Sequence, residues 1–404
     1  MNRRAWGRPD GMYSYRTTAS IEADLARLEE LKRRLDSRGP LPRIWLGRTR
    51  RELEAEAVAA STSMEGVSVT VDEVRRILAG DRPTSVAPGD MALVRGYRDA
   101  MKFVLNRADD SDFEWQTELI LGIHYRVMGE DHSLGAGRFR RTQNRLVDVT
   151  GHRQVFLPPP PTEVSRLVTE LAAWAQEQEH TPPPLVSAVI HCRFAGIHPF
   201  SDGNGRTARI LASLAMYRGG YRSPEFTSLE EWWGGHVGDY YRAFECLGSE
   251  WVDAVDVTPF VEAHIRAQVS QVEALSLRQA TERILWLALD DVTKSIASGN
   301  ERMAHALYDA FFGREVTNRF YRSLADVSVA TAVNDLAKLE SSGLLKAIGA
   351  GRSRRYIAGS RLTGQIAESA GVTPAPGDEA PLEHQRDAII VTLAERVKQG
   401  GLGL

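Results

Sequence analysis

The chain has 404 residues, enough for about two or three domains, each with its own core. Apolar residues make up 43% and charged residues 25%, and a net charge of −3 gives no global pull toward nucleic acid or membrane, so any such site must be a local patch. Two cysteines, Cys192 and Cys246, exclude a disulfide framework, no apolar run approaches the roughly 18 residues of a membrane span, and no signal-type apolar core follows Met1, so the expectation is a cytoplasmic protein with no membrane partner.

Residues 1–20 read as irregular. Ile21, Leu25, Leu28, Leu31 and Leu35 recur at helical spacing and predict an amphipathic helix, ended by Gly39-Pro40-Leu41-Pro42. A second helix is predicted over residues 50–60, meeting Ser61-Thr62-Ser63-Met64-Glu65-Gly66, and a third over 71–78. Residues 91–128 read as two helices. Between 135 and 157, Gly135, Gly137 and Gly151 accompany β-type pieces at 145–149 and 154–157, the pattern of a hairpin or flap closed by Pro158 to Pro161. Helices are predicted at 162–178 and 184–195, then through Tyr217 to Gly219-Gly220, then at 230–247 and 256–288. From residue 300 the texture changes, with helices over 319–325 and 329–340, the second capped by Ser328, and a two-stranded wing over 343–357. The tail carries Pro374, Pro376 and Pro381, then a helical segment at 383–398.

Residues 198–209 read His-Pro-Phe-Ser-Asp-Gly-Asn-Gly-Arg-Thr-Ala-Arg. Ile210, Leu211, Leu214 and Tyr217 form an apolar stripe that would bury a helix starting near Asn204. The Gly-Asn-Gly turn therefore sits at a helix N-terminus, where free N–H groups and the helix dipole favour an anion. Gly203 and Gly205 let the backbone approach phosphate closely, and Asn204 can add a side-chain donor. Arg206 and Arg209 are three apart on neighbouring positions of one face, and two guanidinium forks suit a polyphosphate. Asp202 is placed to hold a Mg²⁺ that bridges phosphates. His198, with an ordinary pKa of about 6.5, suits a general base. Each part alone is commonplace, and their order within twelve residues is what carries the reading.

This stretch resembles, without a departure, the Fic family signature His-Pro-Phe-x-Asp/Glu-Gly-Asn-Gly-Arg-x-x-Arg, and the resemblance extends over residues 45–270. It implies a mainly α fold, a Fic-type helical bundle with a β-hairpin flap. It also implies transfer of AMP from ATP to a Ser, Thr or Tyr hydroxyl of a protein, with release of pyrophosphate. On this chain His198 would take the hydroxyl proton, Asp202 would hold Mg²⁺, Gly203, Asn204 and Gly205 would form the nest, and Arg206 and Arg209 would hold the β and γ phosphates. Phe200 would plug the core, and residues 137–156 would align the target by β-augmentation. Many relatives carry Glu where Ala195 stands. His191, two turns before His198, reads as structural support, and both cysteines as packed thiols.

Residues 61–66 resemble the Ser/Thr-x-x-x-Glu-Gly/Asn pattern of Fic inhibitory helices. The resemblance implies that Ser61 and Glu65 are inhibitory residues and that Glu65 pairs with Arg209, denying it to a phosphate. The wing region resembles a winged helix-turn-helix, with Arg352, Arg354 and Arg355 available to phosphates, while Asp335 and Glu340 weigh against DNA. The same fold serves protein contacts, so DNA and a homodimer both stand as candidate partners. The expected domains are a helical region with the inhibitory helix (1–85), a Fic core (86–275), a winged helix-turn-helix (276–365) and a tail (366–404). The target protein is open, and self-modification is one option. The competing readings are another nucleotidyl or phosphoryl transfer by the same fold, and a DNA-binding regulator that uses nucleotide only as a ligand.

Overall fold

A computed structural model describes residues 13–37, 43–129, 135–147, 153–223, 229–296, 299–372 and 381–400. The Gly39–Pro42 stop, the tip of the predicted flap, the side chain of Arg352 and the Pro374–Pro376 stretch lie outside the described residues. The chain divides into two compact units, Met1–Glu273 and Ala274–Leu404.

The first unit is built around α7 (Pro183–Ile197), whose sequence is apolar on every side and is therefore buried on every side. Ile190, Phe194 and Ile197 face one apolar layer, which they share with α3 (Val71–Leu78), α4 (Pro88–Ala108), α5 (Thr117–Val127), α6 (Pro161–Gln176) and α8 (Asn204–Arg218). Leu185, Ala188, Val189 and Cys192 face another, shared with α1 (Ala19–Ser37) and the first half of α11 (Thr258–Ser295). A helix with two apolar faces thus anchors the segment that follows it from both sides.

Helix α2 (Arg43–Ser63) starts earlier than predicted and buries Ala55, Val58 and Ala59 in the first of these layers. It ends in a turn where Gly66, at φ +83°, donates its N–H to Ser63 O. Gly66 supplies the left-handed conformation a helix stop requires. Thr70 then opens α3 with a capping box to Glu73. The flap consists of β1 (Leu146–Val147) and β2 (Gln154–Phe156), antiparallel, with Leu146 opposite Phe156.

The single helix predicted over 230–247 is instead α9 (Leu229–Gly235), α10 (Val237–Ala243) and a 3-10 turn at Phe244–Leu247. Gly234 and Gly235 weaken the helix, and His236 breaks it at φ −132° and ψ 44°.

In the second unit, α12 (Ala304–Phe311), α13 (Asn318–Ala325) and α14 (Val329–Ser341) precede an antiparallel pair, β3 (Leu345–Ile348) and β4 (Arg355–Ala358). Ser328 caps α14 by accepting the Thr331 N–H at 3.2 Å. Asp335, read from sequence as an unfavourable charge on this helix, points inward. It is 2% exposed and accepts hydrogen bonds from Arg302 at 2.7 and 3.0 Å and from the Tyr321 hydroxyl at 2.9 Å. Helix α15 (Leu362–Ser369), not separated from the tail by sequence, and α16 (Leu382–Gln399) follow.

Candidate active site

The loop between α7 and α8 brings the residues of the twelve-residue motif together. His198 ends α7 in the left-handed region, φ 49° and ψ 58°, while its N–H still reaches Phe194 O. A non-glycine residue there carries about 1–2 kcal/mol of strain, so surrounding contacts must hold it. Arg140, 3% exposed, does so: its Nε donates to His198 O at 2.8 Å, and its backbone N–H donates to Pro199 O at 2.9 Å. Phe200 is fully buried behind the loop.

The ring of His198 is oriented by Ala195, whose carbonyl oxygen lies 3.2 Å from Nδ1. A carbonyl only accepts, so Nδ1 carries the hydrogen and Nε2 keeps its lone pair. Burial pushes the imidazole down to about 4, which keeps it neutral near pH 7. A neutral ring with Nε2 free of hydrogen can take a proton.

Gly203 caps α8 at φ +75°, and a Cβ there would lie 3.0 Å from Met128 Sδ. A Cβ on Gly205 would meet Glu65 Oε1 at 2.3 Å, so a side chain there would displace the Glu65 carboxylate. The Asn204 side chain, expected as a donor to an anion, also holds the loop. Its Oδ1 accepts the Phe200 N–H at 2.9 Å and its Nδ2 donates to Phe200 O at 2.8 Å. Both ends of this buried amide thereby take part in clamping the loop.

Both arginines are buried, Arg206 at 2% and Arg209 at 3% exposure. Arg206 Nη2 pairs with the partly exposed Asp202 at 3.0 Å, and its Nη1 reaches Val127 O at 3.4 Å. Arg209 meets α2. Its Nε donates to Ser61 Oγ at 2.9 Å, and its Nη2 donates to Ser61 O at 3.0 Å and to Glu65 Oε1 at 2.9 Å. Burial opposes the charge on Arg209, but Glu65, with Tyr240 and Tyr97, more than restores it and holds its pKa above the ordinary guanidinium range. The pair predicted between Glu65 and Arg209 is thus in contact across 144 residues of sequence.

Residues 114–216 match the family model described as "Fic/DOC family". The chain contains a Fic domain. It is 32% identical over 217 residues to a protein adenylyltransferase Fic of Culex quinquefasciatus, a match covering 51% of this chain and 41% of that protein. A namesake from Nematostella vectensis is 31% identical over 189 residues, 45% of this chain and 41% of that one. The chain thus spans about two fifths of the length of these curated relatives. The fold is also that of a Fic family protein from Desulfovibrio desulfuricans G20, with a TM-score of 0.56, 23% identity, and coverage of 85% of this chain and 97% of the other.

Two residues that organise the Fic loop carried no signal in the sequence. His124 of α5 stacks flat on Phe200, ring centroids 3.5 Å apart. Its Nδ1 accepts the Gly137 N–H at 2.9 Å, so Nε2 bears the hydrogen and donates to Asp202 O at 3.0 Å. Burial pushes this ring down to about 4 as well, which favours the neutral form. His124 thus ties the base of the flap segment to the carbonyl just before the nest. Arg140 is the other, fixing the backbone of His198 as described. They lie 78 and 58 positions from Asp202 and His198, the loop residues they hold, beyond the reach of local pattern. His191 takes the supporting position read for it, buried with Nε2 3.1 Å from the Tyr240 hydroxyl. Cys192 is buried and Cys246 half-buried, both as free thiols.

Proposed function

We propose that this chain is a protein adenylyltransferase whose resting state is held back by Glu65. The observation that carries the reading is the occupation of Arg209. A buried guanidinium beside a helix N-terminus with a glycine-lined turn is built for an anion, and here the Glu65 carboxylate occupies it. The names of the relatives support the reaction class.

In this reading the nest of Gly203, Asn204 and Gly205 receives the phosphates of ATP through backbone N–H groups, and Arg206 and Arg209 hold the β and γ phosphates. His198 Nε2 takes the proton of a target hydroxyl as its oxygen attacks the α-phosphorus, and pyrophosphate leaves. Asp202 fits a Mg²⁺ ion. It is a partly exposed carboxylate beside the nest, and among the described residues no group of three His, Cys, Asp or Glu side chains gathers to cage a metal. A single carboxylate suits a hard ion that takes its other oxygens from polyphosphate and water and neutralises their charge. The target backbone would add to the flap, where Val147 and Val155 are exposed. Glu65 opposes all this by denying Arg209 to the γ phosphate.

Incubation with labelled ATP and Mg²⁺ tests the assignment. Glu65→Gly raises incorporation into protein, and His198→Ala lowers it by about 10²–10⁴-fold. An unchanged Glu65→Gly rate removes the inhibitory role, and retained transfer in His198→Ala removes the base.

For the second unit we propose a winged helix-turn-helix that serves protein contact, including self-association, ahead of DNA. The outward face of α14 presents Val329, Ala330, Val333, Asn334 and Ala337, with no charge among them. Arg354 is paired with Glu340, and Arg355 with Glu315 at 3.2 Å. Phosphate binding needs cations that are available.

A further inference from the structure

A second carboxylate lies near Arg209, and the reading above gives it no role. Glu230 of α9 is 1% exposed. Its Oε1 accepts a hydrogen bond from the Tyr97 hydroxyl of α4 at 2.5 Å, and its Oε2 has no partner among the described residues. The buried Tyr97 hydroxyl also interacts with the Ser61 side chain of α2. Ser61 Oγ in turn accepts from Arg209 Nε of α8 at 2.9 Å. Glu230, Tyr97, Ser61 and Arg209 therefore gather as a buried polar cluster from four helices, hydrogen-bonded as the pairs Tyr97–Glu230 and Arg209–Ser61. A second branch runs from Arg209 Nη1 to the Tyr240 hydroxyl at 3.4 Å and on to His191 Nε2 at 3.1 Å. Neither branch passes through Glu65.

A buried carboxylate with one oxygen unpartnered is costly, and an apolar side chain packed there would avoid that cost. Burial raises the Glu230 carboxyl above its ordinary range, and the Tyr97 hydroxyl and the Arg209 charge counter that rise only in part. We propose that Glu230 and Tyr97 are positioning residues that hold Ser61 and the Arg209 guanidinium in place for the terminal phosphate of a nucleotide once Glu65 has withdrawn. This assignment rests on the nucleotide reading above, and it gives α2 and the turn that follows it opposite duties. Glu65 blocks Arg209, while Ser61, four residues earlier, orients it. Relief of inhibition then moves Glu65 and the turn at 64–66 and leaves α2 docked. The packing of α2 agrees: Leu53, Ala55, Val58 and Ala59 are buried, and a Cβ on Gly234 of α9 would stand 3.0 Å from Ala60 Cβ.

The test is calorimetric binding of ATP and of AMP, with Mg²⁺, to the full chain. Three variants are compared: Glu65→Gly, the same with Tyr97→Phe, and the same with Glu230→Gln. AMP lacks the phosphates that reach Arg209. Tyr97→Phe is expected to weaken ATP about three- to tenfold while AMP stays unchanged. Glu230→Gln keeps an oxygen that accepts from Tyr97, and its ATP affinity stays within about twofold. Ser61→Ala in the Glu65→Gly background gives the same ATP-only loss, and serves if Tyr97→Phe does not fold. ATP and AMP weakened equally, or ATP unaffected by either Tyr97→Phe or Ser61→Ala, overturns the assignment. If Glu65→Gly alone binds neither nucleotide, the nucleotide reading itself fails and the positioning role with it.

Discussion

Replacing Glu65 by Gln removes a charge while keeping size and an oxygen, so it isolates the electrostatic part of the contact with Arg209. The magnitude follows from where the two groups sit. The Arg209 side chain is 2% exposed and that of Glu65 is 25% exposed. Exposed pairs contribute about 0–1 kcal/mol, and removing one partner of a fully buried pair costs about 3–5 kcal/mol. With one partner buried and the other near the surface, and with Ser61 and Tyr240 still accepting from the guanidinium, the loss should be about 1–2 kcal/mol. The same quantity is what a γ phosphate must overcome to take Arg209 in the wild type. Glu65→Gln should therefore be less stable than wild type without nucleotide, and bind ATP about five- to thirtyfold more tightly. Thermal melting with and without ATP and Mg²⁺ reads both effects: the variant melts lower alone and gains more on adding saturating ATP. Equal melting without nucleotide together with equal ATP-induced shifts would refute the reasoning, because Glu65 would then be a peripheral charge.

Further outcomes follow from the loop. His198→Ala should lose about 10²–10⁴-fold in transfer rate, the range for a general base, while ATP affinity measured by calorimetry is retained; a variant that keeps its rate shows that the proton goes elsewhere. Asn204→Ala removes two hydrogen bonds to the Phe200 backbone and should lower stability by about 1–3 kcal/mol in denaturant titration; an unchanged midpoint would mean that Phe200 alone fixes the loop. His198 and His124 are both held down to about 4 in the folded state, against about 6.5 for a free imidazole. The unfolded chain thus binds more protons between those values, so these two residues favour folding above pH about 6.5 and that contribution falls away as pH drops toward about 4. Urea midpoints should decline across that window, and less so in His124→Gln. Finally, gel mobility shift at low salt should show no DNA complex with the second unit's wing intact; a complex that dissolves with rising salt would reverse the order of partners proposed for it.

The sequence by itself showed most of the helices and the order of the polar residues in the loop. Helical spacing fixed the helices, because apolar periodicity reports burial directly, and the order His198, Asp202, Gly203, Gly205, Arg206 and Arg209 is a local pattern within one turn and one helix. It also placed Ser61 and Glu65 at the end of a helix, before a glycine stop. It did not show that the Asn204 amide clamps the Phe200 backbone, and it misjudged Asp335, whose charge looked solvent-facing, because the direction a side chain takes depends on what lies across from it. Tertiary structure alone decided that both arginines are buried, that His124 and Arg140 fasten the loop from distant segments, and that Glu230 and Tyr97 stand behind Ser61. Those contacts join residues 31–148 positions apart. They exist only because α7, apolar on every face, draws two layers of helices around itself and brings α2, α4, α8 and α9 to one buried point.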